Sequence, residues 1–345
     1  MHRPIVPLLI GISIALGVFF LLNLLLGSVP IPLRAICEML LGHEGQPVVW
    51  QNILWKSRVP QALTALVAGA ALSVSGLQMQ TVFRNPLADP SVLGVSAGAS
   101  LGVAFVVLLS GAIGGVALSR LGYLGEIALS VAAILGSLSV LALIVFISTK
   151  VKGNVTLLII GVMIGYVANA IIGVLKFFSV EEDIRAYVIW GLGSFARVSG
   201  DQMLLFVTLM ALLIPLSFLL IKTMNLLLLG SNYARNLGLN IHRARLLVIL
   251  SAGILVAIVT AYCGPIMFIG LAVPHLARTL FRSSDHRVLM PATVLIGSTL
   301  ALACNLIARM PGFEGALPLN SVTALIGAPV VASVLFRKRK EEMNE

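Results

Sequence analysis

Between Ala62 and Gln80 the chain carries no charged side chain. At about 1.5 Å per helical residue, ~19 residues come close to the ~30 Å hydrocarbon core of a bilayer. In that medium every backbone N–H and C=O needs an internal partner, so a run of this kind can only be a membrane helix or a deeply buried one. Comparable runs recur along the whole chain. With 345 residues, 59% hydrophobic, 10% charged and a mean hydropathy of +1.06, the sequence holds more apolar surface than a soluble core could use. The expected fold is all-α: one polytopic transmembrane domain over 1–345, with about ten spans.

Pro60 suits a first helical turn at the start of this run. Ala65, Gly69, Ser73 and Gly76 form a small-residue stripe that lets another helix approach closely. Arg84-Asn85-Pro86-Leu87-Ala88-Asp89-Pro90 follows, and its two prolines push Asn85 and Asp89 out of helical angles. Asp89 can then cap a returning helix in which Gly94, Gly98 and Gly102 share one face. Glycine spacing alone fits any polytopic hairpin. The full string RNPLADPSVLGVSAGASLG, however, closely resembles the signature of the FecCD family, the permease subunits of ABC importers for ferric siderophores, haem and cobalamin.

Spans are expected at Ile5–Leu26, Ala62–Gln80, Ser91–Leu109, Ile127–Ile147, Thr156–Phe177, Met203–Ile221, Leu246–Tyr262, Ile266–Leu280, Met290–Ile307 and Val322–Phe336. The first is too long for a signal h-region and lacks an A-x-A site, so it reads as uncleaved. Gly27 to Lys56 reads as an outer loop, and Ser179 to Asp201 as an outer segment with an interfacial helix. Ten spans put both termini on one side. Arg3, Arg84, Lys150, Lys152, Lys222, Arg235, Arg243, Arg245, Arg278, Arg282, Arg287 and the run Arg337–Lys340 then lie inside, fifteen of the 23 basic residues. Only Asp89, Asp285, Glu341, Glu342 and Glu345 of 13 acids join them, so the positive-inside rule assigns that side, and both termini, to the cytoplasm. The net charge of +10 is thus a matter of topology, and no nucleic-acid partner is expected. Spans two to five and seven to ten would be inverted repeats, an expectation from topology and family because the halves share no convincing identity.

The chain has no phosphate loop or HExxH, and no carboxylate in the middle of a span. These absences weigh against an enzyme and against an ion-coupled secondary transporter, the two rival readings. Cys37, Cys263 and Cys304 are odd in number and far apart, which suits packing rather than disulfides or metal. His275, in GPIMFIGLAVPHLAR, has no second ligand nearby and reads as structural.

The resemblance assigns roles to particular residues. Ala234, Arg235, Asn236, Leu237 and Gly238 match the coupling helices that sit in a cleft of the ATP-binding subunit; on composition alone they are a solvated basic loop, with Ser231 as its helix cap. Arg58 and Arg309 match arginines that meet acidic residues on the soluble binding protein, although interfacial anchoring would suit them equally. A further basic residue expected after the proline is Gln61 here, for which Lys56 is a substitute. Asn85 and Leu87 match one cytoplasmic gate, and Asn154 and Thr156 fall near a second; turn and cap chemistry also explains all four. Gly161, Gly165, Asn169 and Gly173, four apart on span five, form a face that either packs tightly or lines a passage.

The resemblance therefore implies a homodimeric permease in the bacterial inner membrane, with two ATP-binding subunits inside and a substrate-binding protein outside. Its cargo would be an iron chelate, ferric siderophore or haem, with cobalamin as the alternative. No cofactor is expected in this chain, ATP and Mg being held by the partner ATPase, and the pore itself performs no covalent chemistry.

Overall fold

The computed structural model describes residues 5–27, 29–42, 45–112, 123–151, 153–198, 200–310 and 316–342. Arg3, Glu44, most of the polar break before Glu126, Lys152 and Glu345 lie outside them. The described residues contain fifteen α-helices and no strand: α1 (Ile5–Leu25), α2 (Leu33–Leu40), α3 (Val48–Ile53), α4 (Val59–Phe83), α5 (Val95–Ala112), α6 (Tyr123–Lys150), α7 (Asn154–Phe177), α8 (Glu181–Gly191), α9 (Gly200–Phe218), α10 (Ile221–Leu228), α11 (Ser231–Asn236), α12 (Ile241–Cys263), α13 (Ile269–Phe281), α14 (His286–Ala308) and α15 (Leu319–Glu342).

Each apolar segment of the sequence is helical, but the segments differ in length. Among the described residues six helices are long and apolar enough to cross a membrane, and α9 with α10, bent by 47°, makes a seventh. Ile269–Phe281, with 13 residues, is apolar but shorter. A left-handed residue precedes both α5 and α13, Gly94 (φ 76) and Phe268 (φ 69). An αL residue breaks the helical path and so sets each helix apart from the turn before it.

Three expectations need correction. Pro60 does not open a helix: Val48 to Phe83 is continuous, and the π-turn Leu54–Arg58 just before Pro60 absorbs the hydrogen bond that proline cannot make. The outer loop accordingly contains α2 and α3. The sixth span ends at Phe218, after Pro215, and α10 leaves at an angle. Gly230 (φ 113), not Ser231, occupies the cap position of α11.

The helix α4 is the axis of the bundle, with its central turns buried against α14, α12 and α13. Its small-residue stripe explains the closeness. A Cβ added at Gly76 would stand 1.8 Å from the carbonyl oxygen of Gly270 on α13, and one at Gly69 2.3 Å from that of Gly297 on α14. Gly98 of α5 meets Gly136 of α6 in the same manner. Where α4 packs on α14, α12 packs on α6; where α5 packs on α7, α13 packs on α15.

The first helix is held differently. Its apolar window contributes no buried residue, but near its end Asn23 is fully buried. The Asn23 Nδ2 donates to the carbonyls of Phe19 (2.8 Å) and Leu302 (2.9 Å), and Asn305 Nδ2 donates to Asn23 Oδ1 (2.8 Å), so a polar pair pins α1 to α14. Cys263 and Cys304 are packing residues as expected, whereas Cys37 is exposed.

Candidate functional site

The face assigned to the outside is built from the start of α4, the end of α14 and the 3-10 turn Phe195–Arg197. Here the expected pair of docking arginines divides. Arg58 is 1% exposed. Its Nη1 donates to the carbonyls of Leu24 (2.7 Å) and Leu25 (2.8 Å), and its Nη2 to that of Val29. The Leu24 and Leu25 carbonyls belong to the last turn of α1, where the helix leaves acceptors unpaired and its dipole is negative, and Val29 lies in the segment just after it. Arg58 is thus a cap for α1, and the expectation that it faces a partner does not match its position.

Arg309, half-buried, ends α14 beside it. A Cβ on Gly27 would crowd both guanidinium groups, at 3.1 Å from Arg58 Nη2 and 3.2 Å from Arg309 Nη2, so a larger residue there would push them by a few tenths of an ångström. Burial, and then the Arg58 charge, press the Arg309 guanidinium below its ordinary pKa. Arg309 Nη1 is buried without a hydrogen-bond partner, and Arg309 borders a cavity of about 280 Å³ lined also by Ser57, Gln61, Ser194 and Asn305. A cation with an unused donor at an open cavity is a site for an incoming acceptor. Lys56 is exposed on the neighbouring π-turn, and Gln61 Nε2 donates to Ser57 Oγ (3.0 Å).

On the opposite face α11 forms a knob. Ala234 is fully buried beneath it, while Tyr233 and Leu237 are 57% and 55% exposed and Arg235, Asn236 and Gly238 are exposed. Gly238 adopts φ 84, and the N–H groups of Gly238 and Leu239 close the knob on the carbonyls of Arg235 (2.9 Å) and Ala234 (3.0 Å). Two large apolar side chains on a solvent-facing turn are what a docked partner would cover. Arg235 also lines a cavity of about 460 Å³ whose walls include Val82 near the end of α4 and Gly153 just before α7. The α11 segment, the last turns of α4 and the turn before α7 therefore border one space.

In the first gate turn Asn85 Oδ1 accepts from Leu87 N–H at 2.9 Å, and Leu87 is 40% exposed. Asp89 Oδ1 accepts from Ser91 N–H (2.8 Å) and Oγ (2.5 Å), capping the 3-10 turn Pro90–Leu93 as the sequence predicts. His275 Nε2 lies 2.7 Å from the Pro86 carbonyl and ties the turn to α13, a structural role. In the second, Thr156 is exposed at the start of α7; the side chain of Asn154 lies outside the described residues.

The four-residue stripe on α7 separates into both of its alternatives. Gly161 is buried, with its carbonyl near Gly94, and Gly165 approaches Ala97 of α5. Asn169 and Gly173 are exposed on an open face with Tyr166, Val167 and Val174. The first pair packs, and the second is available to a passage or a second copy.

Sequence reasoning missed one polar cluster. Asn225 of α10, Asp285, His286 of α14 and Thr81 of α4 are hydrogen-bonded in series, although Thr81 and His286 are 205 residues apart. Asn225 within MNLLLL and the cap Asp285 were its only local signals.

Residues 15–337 match the FecCD transport family. The chain is 36% identical over 331 residues to the vitamin B12 import system permease BtuC of Klebsiella pneumoniae, covering 96% of this chain and 94% of that one. It is 35% identical over 294 residues to the hemin transport system permease HmuU of Yersinia pestis, covering 85% and 84%. Its fold superposes with a TM-score of 0.82 and 30% identity on a metal-chelate type ABC transporter in an inward-facing conformation, over 96% of this chain and 99% of that one. With this match spanning the signature hairpin, the coupling knob and the outer cavity alike, the chain belongs to the FecCD transport family.

Proposed function

We propose that the protein is the membrane-spanning permease of an ABC importer that carries a metal chelate inward across the bacterial inner membrane. The observation that carries this reading is the α11 knob, whose exposed Tyr233 and Leu237 stand on a buried Ala234 and present an apolar docking surface to a cytoplasmic partner. A separate ATP-binding subunit supplies the energy and holds ATP and Mg; two such subunits serve two copies of this chain. Family membership leaves no room for the ion-coupled secondary transporter. Both termini are cytoplasmic, following the charge distribution.

The two copies face each other across a passage bordered by the open part of α7, where Asn169 and Gly173 are exposed. The matched pairings of α4 with α14 and α12 with α6, and the left-handed breaks before α5 and α13, support an inverted repeat of spans two to five and seven to ten. Asn85 and Leu87, with Asn154 and Thr156, close the passage inside. Outside, Arg309 and Lys56 receive carboxylates of a soluble binding protein, and Arg58 holds the end of α1 in place beneath them.

The cargo we propose is an iron chelate, ferric siderophore or haem, with cobalamin the alternative. The haemin and vitamin B12 relatives are equally similar to this chain and both carry metal-centred macrocycles, which supports the class rather than one member.

The deciving test is reconstitution of the chain with its cognate ATP-binding subunit and binding protein in vesicles. ATP-dependent accumulation of the chelate retained by that binding protein is expected. Leu237→Asp should abolish both uptake and stimulation of ATP hydrolysis while leaving the permease folded, because it places an unpaired charge in a desolvated contact. Normal hydrolysis and uptake with Leu237→Asp would remove the basis of the reading.

A further inference from the structure

Among the larger helix contacts the knob α11 packs on α10 and α12, the two main routes for a displacement imposed on it. The helix α10 is gripped at two points. At its end, Arg84 Nη2 donates to the Leu227 carbonyl at 2.6 Å, one of the terminal acceptors that a helix leaves available. Arg84 itself terminates α4 in the left-handed region (φ 49), a setting that L residues seldom adopt. Its guanidinium also covers the hinge between α10 and α11, since a Cβ on Gly230 would lie 3.6 Å from Nη2.

Two residues earlier, Asn225 holds the start of α14. Its Nδ2 donates to Asp285 Oδ1 (2.7 Å), and its Oδ1 accepts from His286 N–H (2.9 Å) and faces His286 Nδ1 (2.7 Å). His286 Nε2 in turn lies 2.8 Å from Thr81 Oγ1, one turn before Arg84 on α4. A neutral His286 protonated on Nδ1 donates to Asn225, while the single hydroxyl proton of Thr81 is shared between His286 Nε2 and the Leu77 carbonyl at 2.7 Å. With Met224 and Leu227 buried, α10 is fastened on both sides.

We propose that α10 is the lever of the importer and that Arg84 and Asn225 are the positioning residues that carry movement of α11 to the Asn85–Leu87 turn. Arg84 adjoins Asn85 in the chain, so a shift of the Leu227 carbonyl pulls directly on the residue that opens the turn. This assignment rests on the proposed function, because it presupposes an ATP-driven partner on α11. Without the Arg84 contact, α10 would reach the turn only through the Asn225–His286–Thr81 series and packing on α4, so hydrolysis would continue with little transport.

The test uses the complete importer in vesicles, measuring ATP hydrolysed and chelate accumulated in the same preparation. Arg84→Gln and Asn225→Ala should keep ATP hydrolysis within twofold of wild type and lower uptake tenfold or more; Arg84→Lys, which can still donate to a carbonyl, should recover part of it. A readout that simple destabilisation would not move is the reactivity of a cysteine at Leu87, in a background lacking Cys37, Cys263 and Cys304, toward a cytoplasmic thiol reagent. It should change on adding ATP in the otherwise unmodified importer and stay constant with Arg84→Gln. An unchanged ratio of ATP to chelate, or an ATP response at Leu87 that survives Arg84→Gln, overturns the proposal and transfers transmission to α12. If Arg84→Gln fails to accumulate, Arg84→Lys and Asn225→Ala decide by the same comparison. A wild-type chain that stimulates no ATP-binding subunit refutes the proposed function itself, a result separable from either.

Discussion

Replacing Arg58 with methionine separates an anchor from a docking residue. The substitution keeps most of the aliphatic volume and removes a guanidinium that serves three carbonyls at the end of α1. Breaking a buried charged network from one side typically costs about 3–5 kcal/mol. An opposing term comes from Arg309. Both Nη2 atoms lie within 3.1 and 3.2 Å of the same point beside Gly27, so they are no more than ~6.3 Å apart, a separation at which two unit charges repel by about 2.6 kcal/mol at an effective dielectric of 20. Relief of at least that repulsion leaves a net loss of at most about 0.4–2.4 kcal/mol. Arg58→Met should therefore lower the melting temperature in detergent and expose the segment after α1 to protease. Affinity for the binding protein should stay within threefold. Arg309→Met, by contrast, should weaken that affinity tenfold or more, about 1.4 kcal/mol, and should reduce its salt dependence to what Lys56 supplies. A stable Arg58→Met protein with collapsed affinity would show that Arg58 is a docking residue and that its place at the end of α1 is wrong.

Gly76→Ala should destabilise the bundle by at least ~1–3 kcal/mol, because a Cβ 1.8 Å from the Gly270 carbonyl forces α4 and α13 apart; an unchanged melting temperature refutes that contact. With Cys37, an exposed thiol on the outer side, replaced by serine, a cysteine at Glu182 should react with an impermeant reagent added outside and one at Glu341 should not; labelling of both, or the reverse, overturns the topology. Asp183 is buried with Oδ2 unpaired, and burial, then the Glu182 charge, hold its pKa above the usual carboxylate value. Its ionisation therefore opposes folding, and stability falls as pH rises from the ordinary carboxylate range through the raised value. Asp183→Asn should flatten that slope and raise the melting temperature at pH 7, and a lower melting temperature there would contradict it.

Hydropathy and turn chemistry made most of the fold legible. Charge-free runs marked the helices, Asp89-Pro90 marked a cap that the structure keeps, and the stripes around Gly76 and Gly98 marked close backbone contacts. Features that depend on distant partners were not legible. Arg58 was expected on the outer face by resemblance, as a docking residue or an interfacial anchor; the carbonyls of Leu24, Leu25 and Val29, 29–34 positions away, make it internal. The left-handed Phe268 has no local signal, because bulky residues avoid that conformation unless packing imposes it. The α11 knob could be located by resemblance and its exposure not foreseen, since Ala234 and Leu237 differ in burial only once α10 and α12 are in place.

The polar pair that fastens α1 has a consequence for biosynthesis. Asn23 enters the membrane with the first helix, but its partners Leu302 and Asn305 come 279 and 282 residues later. At ~5–20 residues per second, that delay is roughly 15–60 s. Until α14 arrives, the Asn23 amide has only the Phe19 carbonyl of its own helix to bond, and its oxygen faces lipid or the insertion machinery. The Asn23 amide is therefore among the last groups of α1 to be paired, well after Arg58 has reached the helix end, and a chain that stalls before α14 leaves it without those partners.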